Sequence, residues 1–552
     1  MRLHVIRRPA ALLVAVALAA VLAALAFRWW DRYVEDQLDQ WAVGELSRRT
    51  GGTYRLALGD LSFLPLSGSI SFDSAMVTTD TARNRRRETP LPTLEWRAHG
   101  CRVFGLDLPR LALRRALAAD GLECERVVAR IALPSRPRED HRPASDSAAP
   151  AAALQDLASP LGLSSLRIAE VSLPEVSFTL KRPARQGGTS ILLEHARFEA
   201  KDLMFDPTPT SQDPRTFSAD QARLRATGMI LRRDSLTEIT IAGVDAGLTD
   251  STLRLAGARH EPSIPEDEWV RKVRVRRDRI RFGLDSLRAR GVAYRAFVAT
   301  GDIGIRALEL DGARLDVLTD KRIPRGPPSR HRTPQQVATD PELALRLDSV
   351  IVRGGTIVYR EREQESDRPG RVTFDAVRAT ILDLHLPPRG KPLRIVAGAR
   401  LMKQGLLAVE VSVPLDAPDF RYELSGKVGR MSAASFNQFL GENESFEFED
   451  GRIEGITFRQ TARSGRATTM LTPRYRDLSV EPTGDGGGLV GSVTRAVEEF
   501  IADAFVVRSR NPDEDGGNLR TARTVRRYHP AQSWMQFLWF GLRDGLKETL
   551  KE

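Results

Sequence analysis

Between Thr53 and Val480 apolar and polar residues alternate in short runs separated by turn residues, the period-two signature of strands with one covered face. In LRLDSVIVRGGTIVYRE, the residues Leu345, Leu347, Val350, Val352, Ile357 and Tyr359 fall on one face if the alternation shifts before Val350 and again at Gly354-Gly355. Such shifts predict a bulge or turn inside a long strand. The same grammar returns at 282–298, 303–317, 372–386 (with Val372 and Phe374) and 395–424. Long helical periodicity is missing from this region, so alternating βαβ units are not expected. The prediction is a mainly β chain of antiparallel strands.

Three pieces share a local pattern of leucine, polar step, apolar residue, small or glycine turn and apolar strand: SSLRIAEVSLPEVSFTL (164–180), LDSLRARGVAYRAF (284–297) and the segment 345–359. A unit that cannot bury its own apolar face implies stacked neighbours, and hence an elongated, curled sheet of degenerate repeats. The inward Val350, Val352, Ile357, Tyr359, Val372 and Phe374 then line a groove. An ordinary sealed sandwich core is the competing reading of the same residues.

The two ends differ from the middle. Residues 9–27 carry no charge and, as a helix, measure roughly 28 Å, enough for a membrane anchor. Leu12, Val16 and Leu22 lie within it, and Trp29 and Trp30 stand where interfacial aromatics belong. Arg2, Arg7 and Arg8 precede it, so the positive-inside rule puts the amino terminus in the cytoplasm. A cleaved signal peptide ending near Ala24-Leu25-Ala26 is the alternative. Residues 31–49 read as a helix stopped by Gly51-Gly52. At the other end Val493, Val497, Phe500, Ile501, Ala504 and Phe505 recur at helical spacing, then Trp534, Phe537, Leu538, Leu542 and Leu546 do so again. Gly541 and Gly545 permit the last helix to approach the surface on which it docks.

These signals divide the chain into a tip and anchor (1–30), a helix-then-strand segment (31–133), a linker (134–160), two stretches of β-groove (161–320 and 342–482) around a loop (321–341), and closing helices (483–552). A net charge of +11 over 552 residues does not single out nucleic acid. Cys101 and Cys124 lack metal-ligand spacing; they are either two small core residues or, in an oxidising compartment, one disulfide.

Chemistry is scarce. The eight histidines form no ligand pair, and no nucleophile elbow or Walker lysine occurs. Gly486, Gly488 and Gly491 fit GxGxxG inside a glycine-rich linker without a βαβ context. The acidic cluster Glu442, Glu444, Glu447, Glu449, Asp450 and Glu454 alternates with Phe446 and Phe448, as a solvated strand face does. No enzyme, cofactor or metal is expected.

The apolar run at 9–27, YRLALGDLSFLPLSGSISFDSAMVTT (54–79), LPTLEWRAHGCRVFGLDLPRLALRRALAADGLECERVVARIALP (91–134), LRLDSVIVRGGTIVYRE, GRIEGITFRQTARSGRATTMLTPRYRDLSV and WMQFLWFGLRDGLKETL, taken in order, resemble the AsmA-like family of bacterial envelope proteins (AsmA/TamB type). The resemblance implies a single-pass inner-membrane protein with its bulk in the periplasm. It also implies a taco-shaped β-groove that shelters phospholipid acyl chains in lipid transport and outer-membrane biogenesis. The expected partners are the inner membrane, phospholipids and outer-membrane or periplasmic proteins. An assembly or scaffolding role for outer-membrane proteins, acting through open strand edges, is the alternative function.

Overall fold

Apolar residues, Leu, Val, Ile and Ala above all, alternate with polar ones and build strands along most of the described residues. The computed structural model describes residues 44–550 apart from 45–46, 49, 65–66, 88–89, 108, 111–115, 133–164, 183–188, 206–216, 233–236, 295, 297–301, 328–329, 341–343, 444–445, 483–507 and 514–516. The architecture is mainly β, with mixed strand directions and a few short helices, and it divides into two compact units. One takes in the described residues up to Met229 with Asp245–Asp250 added; the other holds the described residues of Ile230–Val244 and those from Ser251 on.

In the first unit, Gly51 (φ 58°) and Gly52 (φ 72°) stop the helix to which Gly44, Ser47 and Arg48 belong, and the Gly52 amide donates to the Ser47 carbonyl at 2.7 Å. The remainder of the expected helix lies outside the described residues. β1 (Tyr54–Gly59) and β2 (Ser62–Leu64) both pair antiparallel with β3 (Ser69–Thr79). A short helix, α1 (Thr81–Arg85), follows; the Asp80 carboxylate caps it by accepting from the Ala82 and Arg83 amides. β4 (Thr93–Phe104) pairs antiparallel with β3 and with β5 (Ala116–Ala132). β6 (Ser165–Arg182) runs parallel to β5 and antiparallel to β7 (Thr189–Phe205), beside which lies β8 (Phe217–Ser218). β9 (Gln221–Arg232) and β10 (Thr237–Gly247) fall where the chain divides.

Beyond β10 the second unit continues with β11 (Thr252–Pro262), α2 (Glu266–Lys272) and β12 (Arg279–Arg290), which pairs antiparallel with β11, β13 (Ile303–Asp311) and β14 (Arg314–Asp320). After α3 (Pro334–Ala338), β15 (Leu345–Arg362) runs parallel to β13 and β14. Antiparallel pairs then continue through β16 (Gly370–Leu386), β17 (Leu393–Leu401), β18 (Gly405–Val413) and β19 (Tyr422–Val428). β20 (Met431–Ser432) and, after α4 (Asn437–Asn443), β21 (Phe446–Arg463) follow; β21 pairs with β19, β20 and β22 (Arg466–Pro482), and β22 with β23 (Ala522–Arg527). The closing helix is α5 (Trp534–Leu550).

Two strand directions depart from the antiparallel expectation, and the reason is chain length. Parallel neighbours need a connection of roughly a dozen residues or more. Residues 133–164 and 321–344 supply it, so the stretches expected to be a linker and a loop lie in the crossovers. The second is also more than loop: Ile323 and Ala338 are fully buried, and a capping box of Thr333 and Gln336 starts α3.

One strand pair in each unit breaks register at corresponding places. The β6–β7 register shifts between Leu173 and Val176 and between Val176 and Phe178, while β15–β16 shifts between Val352 and Gly355 and between Gly355 and Ile357, every position being 179 later. Gly105 (φ 65°) and Gly291 (φ 67°) end β4 and β12. The next amides, Leu106 and Val292, donate to the Gly68 and Ser251 carbonyls, both at 2.9 Å. Segments 164–180 and 345–359 thus occupy matching strands. Segment 284–297 does not: its strand part lies in β12, the counterpart of β4.

A disulfide joins Cys101 to Cys124, directly opposite one another on β4 and β5. Leu287 and Leu310, each 186 positions later, face one another at the matching place on β12 and β13.

The expected anchor at 9–27, with Leu12, Val16, Leu22, Trp29 and Trp30, lies outside the described residues. The single-pass inner-membrane placement is corrected: among the described residues no helix is long and apolar enough to cross a membrane. The physical reason is that apolar positions here are spaced for one-sided burial. Even α5 interrupts its 17 residues with Arg543, Asp544, Lys547 and Glu548.

Candidate functional site

β15 and β16 show how one face becomes apolar. Asp383 sits in the left-handed region (φ 59°) and faces the stretch of β15 between Leu347 and Ser349. The register pairs Leu345 with Leu386, Leu347 with Leu384 and Val350 with Ile381. Farther along, beyond the bulge at Gly355, Ile357 pairs with Phe374 and Tyr359 with Val372. Ile381, Leu384 and Leu386 pack on a buried cluster containing Leu393, Val411, Val413 and Tyr422; Val372 and Phe374 pack on Leu401, Val428 and Met431. The register breaks around Gly355, as expected from the sequence, and runs unbroken from Leu345 to Val352 past the other expected shift, where Asp383 on the facing strand takes a positive φ. Val350 is buried, whereas Val352, Ile357, Tyr359, Val372 and Phe374 are half-buried.

Charged residues are laid out in pairs along these strands. Asp348 accepts from Arg346 and meets His385, both at 3.0 Å; the Arg346 hydrogen bond, assisted by His385, holds its carboxyl below the ordinary value. Arg353 reaches Glu309 at 2.8 Å, and Arg288 reaches Asp311 at 2.7 Å. Exposed pairs of this kind contribute little individually but fix cross-strand neighbours.

The apolar row ends in a polar cap. The Tyr359 hydroxyl donates to Glu361, and Lys321 pairs with both Glu361 and Glu363. Burial, reinforced by Glu361, pushes the Tyr359 phenol up, so it stays a donor. Arg360 bridges Glu266 of α2 and Asp316 of β14, at 2.9 and 2.8 Å.

The matching face of the first unit has two clusters. Phe72, Trp96, Leu122, Leu173 and Val176 surround Ala98, Val127 and the disulfide. Leu166, Phe198 and Leu203 surround Ile168, Val171 and Ala200. Most of the surrounding residues are only half-buried. Among the described residues the main helix-on-strand packing involves α4, on β15, β16 and β21, and α5, on β21–β23.

α5 docks on its own chain. Phe537 is fully buried, Leu538 nearly so, and Trp534 lies edge-on to Tyr422 at 6.0 Å. Gly541 lies against a buried network: Tyr422 donates to Gln460 Oε1 at 2.7 Å, and Gln460 Nε2 donates to Thr469 at 2.8 Å. A Cβ at Gly541 would stand 2.0 Å from Gln460 Nε2, so any larger residue there has to displace the Gln460 amide from its hydrogen bonds. Leu542 and Leu546, expected on the docking face, are half-buried at its margin; Gly545 and Thr549 occupy the centre instead. The signal was the small-residue spacing. The companion helix expected at 493–505 and the glycines 486, 488 and 491 lie outside the described residues.

Among the described residues no group of three or more His, Cys, Asp or Glu is placed to hold a metal ion. Glu449 accepts from Ser479 and Glu454 pairs with Arg476, while Phe446 and Phe448 meet edge-on at 6.0 Å. No protein-family model matches the chain, and neither does any curated protein.

Proposed function

We propose that the protein is a non-enzymatic lipid-binding or lipid-transfer protein whose apolar sheet faces curl into grooves that shelter phospholipid acyl chains, in the manner of the AsmA-like proteins its sequence resembles. The observation that carries this reading is the half-buried state of the apolar rows. Leu, Val, Ile and Phe side chains recur on one face in matching strands of both units, and among the described residues no helix packs extensively on β3–β7. Each methylene moved from water to such a face gains about 0.8 kcal/mol, so acyl tails bind without a dedicated head-group site.

The test is uptake of a fluorescent phospholipid by the full chain carrying Val352→Glu or Ile357→Glu, with exposed Arg378→Glu as control. The reading expects uptake to fall while cooperative unfolding persists, and the control to behave as wild type. Unchanged uptake, or loss of the folded state in both variants, would contradict it, the latter by identifying a sealed core.

A further inference from the structure

The outer side of α5 carries large apolar residues that its own chain leaves exposed. At about 100° per residue, the docked side holds Phe537, Leu538, Gly541, Gly545 and Thr549, which are buried. The neighbouring arc carries Met535, Trp539, Leu542 and Leu546. Met535 is 67% exposed and Trp539 51%, unusual for large apolar residues one turn apart on a helix that already has a packed side. Arg543 and Lys547 lie just beyond that arc, and the Arg543 guanidinium stands 4.8 Å from the Phe540 ring. The two acids are placed elsewhere. Asp544 is taken up by Arg526 of β23 at 2.6 Å, and Glu548 lies on the opposite flank.

We infer that this arc of α5 docks the protein on an anionic phospholipid bilayer, the helix lying in the plane of the interface. An exposed tryptophan and methionine beside half-buried leucines supply the apolar side of such a helix, and cations along one border supply the complement to anionic head groups. This does not depend on lipid entering the apolar sheet faces.

The experiment uses the full chain and vesicles of phosphatidylcholine and phosphatidylglycerol with brominated acyl chains. The emission of Trp539 is isolated as the difference between wild type and Trp539→Phe, so contacts made by any other segment cancel. That difference signal should be quenched, with weaker quenching on phosphatidylcholine alone and in the Arg543→Gln/Lys547→Gln variant. Absence of quenching overturns the inference. Equal quenching on both vesicle types overturns its electrostatic part, and emission already shielded without vesicles shows that protein covers the arc. Met535→Ser/Trp539→Ser should unfold as wild type does, since neither side chain is buried, and should no longer place the helix on the bilayer.

Discussion

Replacing both Cys101 and Cys124 with alanine should loosen the first unit and leave the second unchanged. The bond spans a sequence separation of 23 residues, and the chain-entropy relation for a closed loop of that size gives about 3 kcal/mol at room temperature. The cysteines also stand within the apolar cluster of Ala98, Val127, Phe72 and Trp96, so alanine removes contacts as well as the tether. Hydrogen exchange read by mass spectrometry separates the units. At about 1.4 kcal/mol per tenfold, amides of β4 and β5 should exchange on the order of 100-fold faster, whereas those of β12–β14 should not change. Cys101→Leu with Cys124→Leu should recover part of the loss, because Leu287 and Leu310 form that apolar pair in the second unit. Equal protection of β4 and β5 with and without the bond would refute the reasoning, as would loosening of β12–β14 to the same degree.

Gly541→Ala should destabilise the second unit although alanine is the better helix former. The gain in propensity is about 1 kcal/mol, against roughly 1–3 kcal/mol for each buried hydrogen bond of Gln460 that the new methyl group displaces; a raised melting temperature would be the contrary result. Acid should weaken the same unit. Burial pushes the Asp320 carboxyl up, but hydrogen bonds from Arg322 outweigh this and hold it below its ordinary 3.8. Because the folded value lies below the unfolded one, the stabilisation is complete above about pH 4 and is lost as pH falls through the folded value. Asp320→Asn should flatten the acid limb of a denaturation-midpoint profile, and a profile identical to wild type would count against this assignment. Tyr475, whose phenol burial raises to about 12, should stay un-ionised under mild alkali, as ultraviolet difference spectroscopy can check.

The strand content was legible because its period is two, and the interruptions of that period were informative. The shift read at Gly354-Gly355 coincides with the register breaks around Gly355, whereas the register past Val350 is unbroken and only Asp383 opposite it is irregular, in the left-handed region. Parallel pairing was not legible. Alternation says which face a residue takes but not which way its neighbour runs, so the connections at 133–164 and 321–344 read as interruptions. The pairing of Cys101 with Cys124 could not be read from spacing, since it depends on the β4–β5 register placing them opposite one another. On α5 the large residues suggested a docking face through Leu542 and Leu546, which lie at its margin, whereas the close approach expected of Gly541 and Gly545 is made against Gln460 and Leu471.

In the proposed function acyl chains lie along the apolar faces of these strands. A phospholipid carrying a photoreactive group within its acyl tail, bound to the full chain, irradiated and mapped by peptide mass spectrometry, locates them. Adducts should concentrate on Leu173, Phe178, Val352, Ile357 and Phe374, in the matching strands of both units. Adducts absent from β5–β7 and β15–β16, or scattered equally over exposed positions such as Arg378, would contradict it.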